Sequence, residues 1–136
     1  MNTVNALNKP GFKKFIPGIC WFIFVMFLLF LPGSNLPSVG GWFNTVYFDK
    51  WVHSGLFAIL AFLFMYPYIS SALPAKERWF YVIRIALATS VWGITSELIQ
   101  KYFVPGRYFD LLDWAADSFG GLVALIFSKI RFFSSK

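Results

Sequence analysis

Long apolar stretches separated by short polar segments dominate the pattern of this chain. The stretches cover residues 15–31, 51–69, 79–99 and 111–130. A helix needs about 20 apolar residues to cross the roughly 30 Å of hydrocarbon in a bilayer, and each stretch is near that length. Membrane-spanning strands would alternate apolar and polar residues, which these stretches do not do. The pattern therefore predicts an all-α membrane protein with four transmembrane helices.

The predicted helices leave little of the 136-residue chain outside the membrane. We expect a single four-helix domain over residues 15–130, a polar tail over residues 1–14 and a short tail over residues 131–136. The connection 32–50 begins with turn-forming residues and ends in aromatic ones, which suits a loop lying at the membrane interface. With 58% hydrophobic and 13% charged residues, the composition excludes an ordinary water-soluble domain.

The positions of the lysines and arginines predict the orientation of the helices. Eight of them precede the first helix, lie between the second and third or close the chain, whereas only Lys50, Lys101 and Arg107 lie in the other two connections. Because basic segments stay on the inner side, both termini are predicted to be cytoplasmic. The basic residues behind the net charge of +6 then set the orientation of the helices and contact membrane lipids, so the charge does not indicate nucleic-acid binding.

Polar residues in the predicted membrane segments are the main candidates for chemistry. Five of the six carboxylates lie inside or at one end of these segments, where ionisable groups are costly and commonly functional. At the start of the second helix, Asp49 and His53 share one face, with Lys50 beside them. Near the end of the third helix, Glu97 and Gln100 share another.

The fourth helix adds a stripe of acids. Asp110, Asp113 and Asp117 are spaced by three and four residues, which places them along one face over about two turns. Arg107 precedes them in a short connection that contains a Pro-Gly turn signal. Because connected helices of a four-helix bundle pack together, we expect the polar faces of three helices to converge on one outward-facing site.

Two interpretations of this site assign it structural or ligand-binding roles. In the first, the carboxylates balance nearby basic residues and cap helix starts. In the second, the site binds or modifies a lipid-linked polar headgroup, and its candidate catalytic residues are His53, Glu97 and Asp113. The candidate ligand-binding residues of the second interpretation are Asp49, Lys50, Gln100, Arg107, Asp110 and Asp117.

A third interpretation is a divalent metal site that uses His53 with two or three of the aspartates. A donor set rich in oxygen suits magnesium, manganese or calcium better than structural zinc. Spacing along the sequence does not decide among the three interpretations, so the cofactor and the choice between binding and catalysis stay open at this point.

With these residues in view, the chain resembles the VanZ-like family of membrane proteins, named for a teicoplanin-resistance determinant. The family pattern has Asp-Lys-x-x-His at the start of one span, matched by Asp49, Lys50 and His53. It continues with Glu-x-x-Gln, an aromatic residue, Pro-Gly-Arg and two spaced aspartates before a glycine-bearing helix. The matching positions are Glu97, Gln100, Phe103, Pro105, Gly106, Arg107, Asp110, Asp113 and Gly120. Asp117 departs from the pattern, since such proteins more usually carry Asn there.

The resemblance implies a place in the bacterial cell envelope, in the inner membrane. It also implies an effect on glycopeptide susceptibility in some members and a lipid or lipid-linked cell-wall precursor as the ligand. It does not supply a reaction, because the family as a whole has no agreed biochemical activity. The alternative is a non-catalytic scaffold or accessory protein whose polar residues hold the bundle together.

Overall fold

Four helices make up nearly all of the structure, a computed structural model that describes residues 9–32 and 48–134. Within those residues 83% are helical and no strand is present. The helices are α1 (Ile16–Leu29, after a 3-10 turn at Phe12–Phe15), α2 (Phe48–Ile69), α3 (Ala75–Phe103) and α4 (Leu111–Ser128, continued by a π-helical turn at Lys129–Phe133). With the two flanking turns included, all four are long and apolar enough to cross a membrane. This confirms the predicted number of helices that could each cross a membrane.

The helix ends differ from those that hydropathy predicts. The third apolar stretch covers residues 79–99, yet α3 extends over 29 residues, or about 43 Å, because its charged first turn and polar last turn are also helical. Apolar stretches mark the part of a helix in hydrocarbon, not where its backbone hydrogen bonds stop. Most of the predicted interfacial loop, residues 33–47, lies outside the described residues, as do residues 1–8 and 135–136 of the two predicted tails.

The helices are not packed equally. α4 packs most extensively against α2 and then against α3, while α1 packs on α2. Gly120 lies where α4 and α2 are closest: a Cβ added there would lie 2.8 Å from the backbone nitrogen of Ala58 and closer still to the carbonyl oxygen of Ser54. Small residues allow such close approach of helices in a membrane, where apolar burial gives little net driving force. Gly120 therefore has a packing role between α4 and α2.

Apolar side chains fill two parts of the bundle and leave one end to polar groups. One apolar cluster, including Met65, Val82 and Ala124, joins α2, α3 and α4. A second, including Val25 and Phe57, joins α1 to α2. We call this end of the bundle the polar end. It consists of the last turn of α1, the first turns of α2, the last turns of α3 and the first turns of α4.

Candidate functional site

Lys50 joins the polar ends of α2 and α4. Its Nζ lies 2.5 Å from Asp110 Oδ2, 2.5 Å from Asp113 Oδ1 and 2.9 Å from Asp49 Oδ2. An ammonium group has three N–H donors, so these three carboxylates can use all of them. The Lys50 side chain is only 17% exposed, whereas that of Asp49 is 63% exposed and lies at the rim. Lys50 is therefore occupied by carboxylates and has no donor left over for a ligand.

Asp110 begins α4 and ties it to α3. Its Oδ1 accepts a hydrogen bond from the Leu112 N–H at 2.8 Å, and its own backbone N–H donates to Glu97 Oε2 at 2.9 Å. Burial tends to raise the pKa of the Asp110 carboxyl, but the hydrogen bonds from Lys50 and Leu112 outweigh it and lower that pKa below its ordinary value. The predicted helix cap at Asp110 is confirmed.

His53 lies between two aspartates of α4 that are one turn apart. Its Nδ1 is 3.0 Å from Asp117 Oδ1, and its Nε2 is 3.8 Å from Asp113 Oδ2. His53 is 7% exposed and Asp117 is fully buried. A carboxylate that bonds one ring nitrogen holds the imidazole in a fixed orientation and selects which nitrogen carries the proton. The arrangement is suited to proton transfer or to cation binding.

Glu97 reaches the same place from α3. One carboxylate oxygen of Glu97, one of Asp117 and one ring nitrogen of His53 all lie within 4.8 Å of one another. These three buried groups, which we call the inner triad, could hold a metal ion. The set differs from the predicted one, since Asp110 and Asp113 bind Lys50 and a glutamate takes part instead.

Gly93 makes room for the inner triad and was missed in the sequence. A Cβ added at Gly93 would lie 3.0 Å from Asp117 Cβ and 3.2 Å from Asp117 Oδ2. Gly93 is four residues before Glu97, so the two share a face of α3. The sequence shows only that a glycine lies one turn before Glu97. This position indicates a role in the site only when it is known which helix packs against it.

Gln100 is buried beside the other polar groups but bonds to a different helix. Its Nε2 donates to the carbonyl oxygen of Leu29 at 2.7 Å, which satisfies an acceptor at the end of α1. Its Oε1 is one of three buried side-chain oxygens in the described chain that accept no hydrogen bond, and the others are Glu97 Oε1 and Asp117 Oδ2. All three belong to residues that the sequence pattern singled out.

Arg107 lies outside this network, in the connection between α3 and α4. It is half-buried, and within the described chain its guanidinium makes no hydrogen bond or ion pair. The connection turns at Gly106, whose φ is 73°. Residues 101–108 line an open concave surface that encloses a volume of about 340 Å³. The structure thus gathers eight of the nine predicted site residues at the polar end. The ninth, Arg107, lies on an adjoining surface.

Comparisons of the chain with protein-family models, with curated proteins and with solved structures find no match. The VanZ-like resemblance therefore stays a prediction that rests on the residue pattern. The geometry of the polar end stands independently of it.

Proposed function

We propose that this chain is a VanZ-like protein of the bacterial inner membrane, with both termini in the cytoplasm, whose outward-facing polar end binds or modifies the headgroup of a lipid or lipid-linked envelope precursor. Eight basic residues on one side of the four helices support this orientation. The convergence of buried acids and His53 from three helices supports a site, because such groups are costly inside a membrane.

The observation that carries the headgroup assignment is the guanidinium of Arg107, which has no partner among the described residues and lies on the concave surface of the connection between α3 and α4, beside the polar end. Arginine binds phosphate through two parallel N–H donors, and this geometry is available because no acceptor of the described residues occupies it. Lys50 cannot take the same role, since three aspartates surround its ammonium group. In this arrangement Arg107 holds the phosphate, while His53, Glu97 and Asp113 supply acid and base groups for any chemistry.

Lipid binding by the purified protein tests the headgroup assignment. The protein in nanodiscs should bind a polyprenyl phosphate, as detected by native mass spectrometry, and phosphatidylcholine should not displace it. Arg107→Gln should weaken it by about 10-fold, the worth of a charge-assisted hydrogen bond. Arg84→Gln is the matched control, because Arg84 is exposed on α3 and lies over the Phe80 ring at 4.7 Å. Equal binding by wild type and Arg107→Gln would exclude this role of Arg107.

Glycopeptide susceptibility tests the envelope role. Expression in a susceptible bacterium should change the inhibitory concentration of teicoplanin, and His53→Ala should abolish the change while the variant still accumulates in the membrane. No change with the wild-type protein would remove the susceptibility component of the proposal and leave lipid binding to be judged by its own assay.

A second candidate function is a non-catalytic scaffold or accessory protein, and one observation favours it. Several polar groups bridge helices directly: Lys50 joins α2 to α4, Gln100 joins α3 to α1, and Glu97 joins α3 to the start of α4. His53→Ala and Glu97→Gln separate the candidates. Variants that fold, reach the membrane and keep full function would assign the polar end a structural role.

A further inference from the structure

The polar end has more negative charge than its basic residues can balance. Five carboxylates, those of Asp49, Glu97, Asp110, Asp113 and Asp117, surround two basic groups, Lys50 and His53. Full ionisation therefore leaves an excess of at least three negative charges. Lys50 is committed to the outer three acids, so Glu97 and Asp117 have only His53 between them. Unbalanced buried charge costs several kcal/mol per ion, which favours a further positive charge at this place.

The hydrogen bonds point the same way. Glu97 is 1% exposed and Asp117 is fully buried, yet Glu97 Oε1 and Asp117 Oδ2 accept no hydrogen bond. The remaining unpartnered buried side-chain atoms of the described chain besides Gln100 Oε1 are nitrogen donors elsewhere, on Arg78 and Trp92. Buried acceptor oxygens that lack a donor and lie in one place are what a cation site presents, because a cation can satisfy acceptors but not donors.

From these observations we propose that the inner triad of His53, Glu97 and Asp117 binds one divalent cation. The three donor atoms lie within 4.8 Å of one another, and the 3.0 Å between His53 Nδ1 and Asp117 Oδ1 is close to the spacing of two adjacent ligands on one ion. One imidazole nitrogen with two carboxylate oxygens suits Mn²⁺ or Zn²⁺ better than Ca²⁺, which prefers oxygen ligands throughout. Three protein ligands also leave coordination positions for water or for an oxygen of a ligand.

The proposal is independent of the headgroup assignment, since it uses neither Arg107 nor a lipid. With the ion bound, His53 and Glu97 serve as its ligands, which leaves Asp113 as the remaining acid or base group of the proposed headgroup site. An excess of negative charge repels an anionic headgroup, and a divalent cation removes much of that repulsion.

Metal binding to the purified full-length protein tests the proposal. Protein stripped with EDTA in nanodiscs is dialysed against MnCl₂ or ZnCl₂, and bound metal is counted by elemental analysis. We expect about one ion per chain and, at saturating metal, a rise in Tm of about 5 °C or more. Asp117→Asn and Glu97→Gln should each weaken binding by about 100-fold and lose the metal-induced rise in Tm. Mg²⁺ and Ca²⁺ should bind more weakly to the wild type.

The control is Glu77→Gln, because Glu77 is the one carboxylate outside the polar end and lies in the first turn of the same helix as Glu97. It should bind metal as the wild type does. Asp117→Asn and Glu97→Gln are nearly isosteric and remove a buried charge, so without metal both should melt at or above the wild-type temperature. That readout separates a lost ligand from a misfolded chain. Metal bound equally by all variants, or no stoichiometric binding to the wild type, would overturn the site and leave protons or water as the partners of these oxygens.

Discussion

Lys50 illustrates how one residue can decide the charge balance of a buried site. Its three carboxylate partners come from its own helix, from the residue that caps α4 and from the first turn of α4. Exposed ion pairs contribute little to stability, but the Lys50 side chain is 17% exposed and the Asp113 side chain 12%. Removing the cation leaves these acids facing one another with reduced solvation.

We therefore expect Lys50→Met to lower the free energy of unfolding by about 2 kcal/mol, less than for a fully buried pair because Asp49 and Asp110 keep some solvent. Thermal unfolding in detergent, followed by circular dichroism, measures the loss. Asp113→Asn should restore part of it in the Lys50→Met background, since it removes one of the repelling charges. Strictly additive effects of the two substitutions would contradict a direct interaction between them.

The inner triad shows which parts of the site the sequence could predict. His53, Glu97 and Asp117 stood out because ionisable residues in apolar segments are unusual. Their convergence followed from the expectation that connected helices pack together. Which acids pair with Lys50 and which face His53 could not be predicted, because both Asp113 and Asp117 lie on one stripe of α4 and the rotation and height of α2 decide between them. The contact of Gly93 with Asp117 could not be predicted either, because it too depends on how the helices are rotated against one another.

At the level of elements, the contact between α2 and α4 sets the positions of these side chains. Hydropathy predicted the four helices, since about 20 apolar residues in a row have few other structures in a membrane. It did not predict that α4 packs chiefly on α2. That preference depends on the close approach at Gly120, where the α2 backbone fills the space that a side chain would need.

Gly120→Ala should consequently destabilise the bundle by about 3 kcal/mol, because the new methyl group meets backbone atoms that cannot rotate away. It should also move α4 relative to α2 and so weaken the contact of Lys50 with Asp113. The matched control is Gly55→Ala on α2, where an added Cβ has nothing within 4 Å, and a small gain in stability is expected from better helix propensity. The Tm of each variant is measured and compared with that of the wild-type protein. Equal and small effects would mean that the helices can separate at little cost.

On the scale of the whole molecule, the proposed function requires the polar end to face out of the cell. The helices alone are compatible with either orientation, and the argument for this one is the excess of basic residues at the opposite end. Cysteine labelling can decide it, since the only native cysteine, Cys20, can first be replaced by serine. Tyr108 is 84% exposed beside the polar end, and Ala72 is exposed in the connection between α2 and α3. A membrane-impermeant maleimide should label Tyr108→Cys in intact spheroplasts and Ala72→Cys only after permeabilisation. The reverse pattern would place the acids, His53 and Arg107 in the cytoplasm, where a lipid-linked precursor would have to be met on the inner leaflet.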